Sequence, residues 1–99
     1  MTNRELFERL KPYLIAQDPL YDGSQVLRYD VNKSFKLTLK GAQGFLEKDI
    51  VFITEHPGKI LISVDRGVWE YPLEADFEHE LVVSKLFYYE TIGGPDDSN

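Results

Sequence analysis

Cysteine is absent from this chain. Its absence excludes a disulfide framework and any thiolate metal centre, and it fits a reducing compartment. Histidine is scarce, with only His56 and His79. Apolar runs are short: Ile50 to Ile53 and Ile60 to Ile62 fall far below a membrane span. The opening Met1-Thr2-Asn3-Arg4-Glu5 has no apolar signal region. The expectation is a cytoplasmic protein with no membrane partner. No serine lies in a Gly-x-Ser-x-Gly setting. Gly41 and Gly44 lack the lysine and following helix of a phosphate loop. With no such motif, no cofactor is expected and an enzyme is the weaker reading.

Cations are outnumbered as well, eleven against seventeen acids, for a net charge of −6. The imbalance is uneven. Residues 1–48 carry +2 and residues 49–99 carry −8. Glu70, Glu74, Asp76, Glu78 and Glu80 fall in one stretch without a single lysine or arginine. Such a field disfavours direct nucleic-acid binding, which needs clustered cations. The best basic face is Arg28, Lys36 and Lys40, and Asp30 partly cancels it.

What is present reads as one globular domain over residues 1–94, with 95–99 a polar, disordered tail. A domain of this size buries roughly 65% of the surface its unfolded chain exposes. Apolar content is 42% and aromatic content 13%, which supports a folded core rather than a disordered chain.

Leu6, Phe7, Leu10, Tyr13 and Leu14 recur at helical spacing. Thr2 and Glu5 form a capping-box pattern, with Asn3 a competing cap. Pro12 should loosen that helix, and Asp18-Pro19 should end it. Tyr21 to Ser24 is then a turn. Leu27, Tyr29 and Val31, then Phe35, Leu37 and Leu39, alternate as strands around an Asn32-Lys33 turn. Gly41 to Gly44 breaks the pattern. A second hairpin runs through Pro57-Gly58, where glycine suits the positive φ of a type II turn. Asp65 to Gly67 turns the chain into a strand that Pro72 ends or marks as an edge.

The final segment is ambiguous. Glu74 to Leu81 alternates like a strand. Over the longer window, Phe77, Leu81, Val82, Leu86, Tyr88, Tyr89 and Ile92 share one half of a helical wheel. The expected fold is α+β: an N-terminal helix, a five-stranded antiparallel meander and a C-terminal helix. A sixth strand is the alternative for the last segment.

Asp76 and His79 could supply two legs of a metal site, but no third ligand is apparent, so no metal is expected. Helix-start carboxylates gain roughly 0.3–1 kcal/mol each, while like-charge pairs four apart cost about 0.2–0.5 kcal/mol. Folding alone therefore tolerates the acidic stretch. Its functional reading is a partner surface of Trp69, Glu70, Tyr71, Glu74, Asp76, Glu78 and Glu80, with Trp69 and Tyr71 as anchors.

Three functions follow. The first is a non-enzymatic interaction module, an adaptor, assembly factor or inhibitor, that meets a basic protein through this surface or a sheet edge. The second is a DNA-mimic inhibitor of a nucleic-acid-binding protein. The third is a small-molecule or enzymatic cup between sheet and helices, with Tyr13, Tyr29, Tyr88 and Tyr89 supplying hydroxyls. The basic face and the acidic stretch also suit one another, within one molecule or across copies of a homo-oligomer.

Overall fold

Thr2 caps the first helix as its spacing to Glu5 predicts. Its Oγ1 accepts the Glu5 amide at 3.1 Å, and the Glu5 carboxylate accepts the Thr2 amide at 3.1 Å. Helix α1 (Asn3–Leu10) buries Leu6, Phe7 and Leu10 on one face. It is shorter than its apolar spacing implies. Pro12 has no amide to continue the ladder, and Lys11–Tyr13 tighten into a 3₁₀ turn. Leu14 then leaves the helical face altogether and opens strand β1 (Leu14–Ala16).

The structure, a computed structural model, describes residues 1–19, 23–41 and 47–94. Part of the expected turn after Pro19, most of the Gly41 to Gly44 break and the tail 95–99 lie outside the described residues.

All five expected strand segments form: β2 (Leu27–Val31), β3 (Lys36–Lys40), β4 (Lys48–His56), β5 (Lys59–Val64) and β6 (Gly67–Pro72). They do not form a meander. Strands β2 and β3 are not paired with each other. Both pair with β4, β2 along its C-terminal half (Arg28↔Thr54, Asp30↔Phe52) and β3 at its N-terminal end (Thr38↔Asp49, Leu39↔Lys48). Both pairings are antiparallel, so β2 and β3 run in the same direction, which a hairpin forbids. The Asn32 turn is real. Its carbonyl accepts the Phe35 amide at 3.0 Å and its Oδ1 accepts the Ser34 amide at 2.9 Å. It is a corner in an onward-running chain. The nine-residue β4 is long enough to serve two five-residue partners end to end.

The next two connections are ordinary hairpins. Pro57-Gly58 joins β4 to β5 with Gly58 at φ +78. Asp65-Arg66 joins β5 to β6 with Arg66 at φ +62. Among the described residues β6 pairs only with β5, so Pro72 both ends the strand and sits on an edge.

The expected C-terminal helix does not exist. Residues 72–75 turn, with the Ala75 amide on the Pro72 carbonyl at 3.1 Å. Two strands follow, β7 (Glu80–Ser84) and β8 (Tyr89–Gly93). The β-branched pair Val82-Val83 decides this: β7 slots between β3 and β8, with Leu37↔Val83 and Leu39↔Leu81 in register. The helical wheel misled because it placed Leu86, Tyr88 and Tyr89 in a core, whereas all three are exposed.

Among the described residues strand accounts for 53% and helix for 13%, and their body is a curled antiparallel half-barrel of eight strands. The order β1-β2-β4-β3-β7-β8 carries β5 and β6 as a branch from β4. Helix α1 plugs the concavity. Leu6 and Leu10 meet a floor that includes Leu37, Ile53, Ile60, Ile62, Leu81 and Val83, all essentially inaccessible to solvent. Its N-terminal end is fastened by backbone bonds to the 73–77 segment: Asn3 to Ala75 at 2.8 Å, Arg4 to Leu73 at 3.0 Å and Phe77 to Met1 at 2.9 Å. Among the described residues no helix is long and apolar enough to cross a membrane.

Candidate functional site

The hairpin pairing of β6 sets the first surface. Trp69 and Tyr71 pair with Ile62 and Ile60, so both lie on the core-facing side of the sheet. Tyr71 is buried, whereas Trp69, at the rim, stays 45% exposed. The chain then turns through Pro72 to Ala75 and returns past Phe77 and His79. The His79 ring stands edge-on to Trp69 (4.9 Å between ring centres) and to Tyr71 (5.7 Å). His79 Nδ1 and Tyr71 Oη share a hydrogen bond of 2.6 Å. Burial, and secondarily the Glu78 charge, push the Tyr71 hydroxyl well above its ordinary pKa, so it keeps its proton.

These residues enclose an open cup of about 300 Å³, lined also by Asn3, Glu70, Asp76 and Glu78. The cup gathers Trp69, Glu70, Tyr71, Asp76 and Glu78 from the seven residues of the expected surface. Glu74 and Glu80 are not part of its lining.

Internal cations take three of the five acids. Arg4 binds Glu74, its Nε donating at 2.9 Å. Lys59 reaches Glu70 at 2.9 Å across the β5–β6 hairpin, and Lys40 reaches Glu80 at 3.4 Å. Asp76 and Glu78 make no ion pair among the described residues. The acidic stretch is thus not one continuous negative face.

The basic residues are distributed likewise. Arg28 lies on β2, donates to Asp30 at 2.9 Å and stacks over Phe52 at 4.0 Å. Lys36 and Lys40 lie on β3, where Lys36 pairs with Asp49 at 3.3 Å and Lys40 faces both Glu47 and Glu80. Lys40 and Glu80 are register partners, so here the basic and acidic segments meet within one molecule. The Glu80 bond, the largest cause, raises the Lys40 pKa.

The four tyrosines expected to ring a cup do not all converge. Tyr13, edge-on against Phe35, and exposed Tyr88 both approach the Lys85 ammonium, whereas Tyr29 donates to Glu55 at 2.8 Å and Tyr89 is exposed. Asp76 and His79 do come together in the cup. Among the described residues, however, no three His, Cys, Asp or Glu side chains are grouped to hold a metal ion.

Sequence reasoning missed a second surface. Between β7 and β8 the chain projects Leu86 (88% exposed), Phe87 (91%), Tyr88 (57%) and Tyr89 (75%). The base of this tip is fixed. The Lys85 amide donates to the Tyr88 carbonyl at 2.7 Å. The Lys85 ammonium lies 5.0–5.9 Å from the Tyr88, Tyr13 and Phe35 rings and donates to Glu90 at 3.2 Å. Its bonds to Tyr88 and then Glu90 raise its pKa. The signal was in the sequence: Leu86-Phe87-Tyr88-Tyr89 is an apolar cluster next to one lysine. Assigning it to a helix concealed it.

No family model, curated protein or solved structure matches the chain.

Proposed function

We propose that the protein is a small non-enzymatic interaction module that binds a protein partner through the β7–β8 tip. One observation carries this reading: four consecutive large apolar or aromatic side chains project into solvent on a braced turn. Soluble domains seldom leave such clusters uncovered, and aromatic residues dominate binding hot spots. The Lys85 contacts hold the tip in one shape before binding, which lowers the entropy cost of association. The partner is expected to offer an apolar pocket for Phe87. Salt should change the affinity little, because the nearest charges, Lys85 and Glu90, already neutralise each other. This differs from an acidic docking face, for which three of the five carboxylates are already engaged.

The test compares wild-type bait with Leu86→Ser/Phe87→Ser and with Asp76→Asn/Glu78→Gln in quantitative affinity capture at low and high salt. The expected result is a partner retained at high salt, kept by the acid variant and lost by the tip variant. A partner captured equally by the tip variant would overturn this reading. Light scattering on the same proteins separates a second copy from a different protein.

A further inference from the structure

Lys85 sits where the β7–β8 tip meets the body of the sheet. One step beyond the register pair Lys36↔Ser84, Phe35 comes opposite Lys85. Tyr13 reaches the same point from the end of the 3₁₀ turn. Its carbonyl accepts the Asn32 amide at 3.0 Å, and its ring stands edge-on to Phe35 with 5.2 Å between centres. The body thus supplies two rings on a pinned corner. The tip supplies a third, Tyr88, and a carboxylate, Glu90. The Lys85 ammonium lies 5.6 Å from the centre of the Tyr13 ring, 5.9 Å from Phe35 and 5.0 Å from Tyr88, with Glu90 at 3.2 Å. The lysine side chain is only 23% exposed. Rings from both sides share one cation, as they do where proteins recognise ammonium ligands. Here the cation belongs to the chain itself and clasps the tip to the body.

The clasp depends on charge. Ring faces and a carboxylate attract an ammonium and offer a neutral amide far less. An acylated lysine would bring a carbonyl oxygen toward these rings and toward Glu90, all of them electron-rich. Ordinary changes of pH do not remove the charge, because the bonds to Tyr88 and then Glu90 hold the ammonium pKa above its usual value. A covalent change is required. Methylation of lysine keeps the charge, whereas acylation abolishes it.

We propose that Lys85 is a charge-operated latch on the β7–β8 tip and that N-acylation opens it. With a thioester as donor, a C–N bond forms to the acyl carbon and its C–S bond breaks. Of the two protons the ammonium loses, one goes to the departing thiol and one to solvent. The reaction takes place on the swung-out side chain, and the product no longer suits the cage, so modification shifts the population toward the released tip. Glu90, half exposed, then turns to water. This inference rests on the reading of the tip as a docking surface and adds its control. Latched, Leu86 and Phe87 are held in one shape; released, they lose that preorganisation and bind less tightly.

Amide hydrogen exchange read by NMR tests the latch without any partner. The reporter is the amide of residue 85, which donates to the Tyr88 carbonyl at 2.7 Å. Wild type is compared with the same protein carrying an acetyl group on Lys85 Nζ, with Lys85→Met and with Lys85→Arg. Protection of the reporter should fall about tenfold in the acetylated and Lys85→Met proteins and be kept by Lys85→Arg, while amides of β4 and β5 stay as protected as in wild type. Unchanged protection in Lys85→Met would assign the role to the alkyl stem and overturn the proposal. So would unchanged protection in the acetylated protein, an equal fall in Lys85→Arg, or a loss spread evenly over the core amides. The two readings fail separately. A failed latch leaves docking at the tip to the affinity capture, and a partner kept by the tip variant removes the docking while the exchange result stands.

Discussion

Strand β8 passes so close to the N-terminal helix that one methyl group should be felt across the fold. Gly93 is buried, and a Cβ added there would lie 2.8 Å from Leu6 Cδ1 and also against the Met1 sulfur. The Met1 contact is the end of a flexible side chain and can turn away. Leu6 is fully inaccessible and held on every side by the core, so it cannot. Forcing a methyl into such a site costs about 1–3 kcal/mol. Against this, alanine restricts the unfolded chain and returns about 0.4–1 kcal/mol. The net expectation for Gly93→Ala is a loss of about 1.5 kcal/mol, which for a domain of this size lowers Tm by roughly 6–12 °C. Urea unfolding should show a lower midpoint with an unchanged slope. The second arm is Leu6→Ala, which alone should cost about 2–5 kcal/mol. Combined, the new methyl occupies part of the space that leucine vacates. The double variant should therefore lose less than the two singles together, by on the order of 1 kcal/mol. A Gly93→Ala protein as stable as wild type, or strict additivity with Leu6→Ala, would refute the reasoning.

Three further predictions concern titration and capping. Burial first, and then the hydrogen bond to Glu55, push the Tyr29 hydroxyl from 10.0 up to about 12. A raised folded pKa means its stabilisation is complete below pH 10 and is lost as pH rises toward 12. Urea midpoints across that window should fall for wild type and fall less for Tyr29→Phe, while tyrosinate absorbance gives the titration itself. At the other end of the scale, the Thr2 backbone and side-chain bonds hold the Glu5 carboxyl below its ordinary 4.5. Its contribution is present above 4.5 and fades as pH drops below, so Glu5→Gln should flatten the acid limb of the stability curve. Thr2→Ala should cost about 1 kcal/mol at neutral pH, measured by urea unfolding.

The parts of the fold that were legible are those written in adjacent residues. The Thr2/Glu5 cap, the Pro12 break, the Pro57-Gly58 turn and all five strand segments follow from local chemistry. Which strands become neighbours does not. The alternation in Leu27 to Val31 and Lys36 to Lys40 specifies faces, and the same faces are buried whether the two strands pair with each other or share β4. The last segment was misread because its spacing satisfied two periods at once, and only the slot between β3 and β8 chose the strand. At the cup, Trp69 and Tyr71 were legible through their position on one pleat face. Asn3 was read only as a competing cap, because its bond to Pro72 spans sixty-nine positions. The pairing of Glu70 with Lys59 becomes readable once Leu61↔Glu70 sets the register. The Arg4–Glu74 pair depends on the packed helix and has no local signature.

The fastening of α1 also sets an order of events during synthesis. The helix is made well before its covering strand, for its apolar face is closed by Leu73, Phe77 and Ile92, and Arg9 reaches the Ile92 carbonyl at 3.4 Å. Some eighty residues separate the two ends of that contact. At about 5–20 residues per second, Leu6, Phe7 and Leu10 wait roughly 4–16 s for the strand that covers them. During that interval the nascent chain offers a short amphipathic helix without its covering strand, so chaperone binding before β8 emerges should centre on this segment.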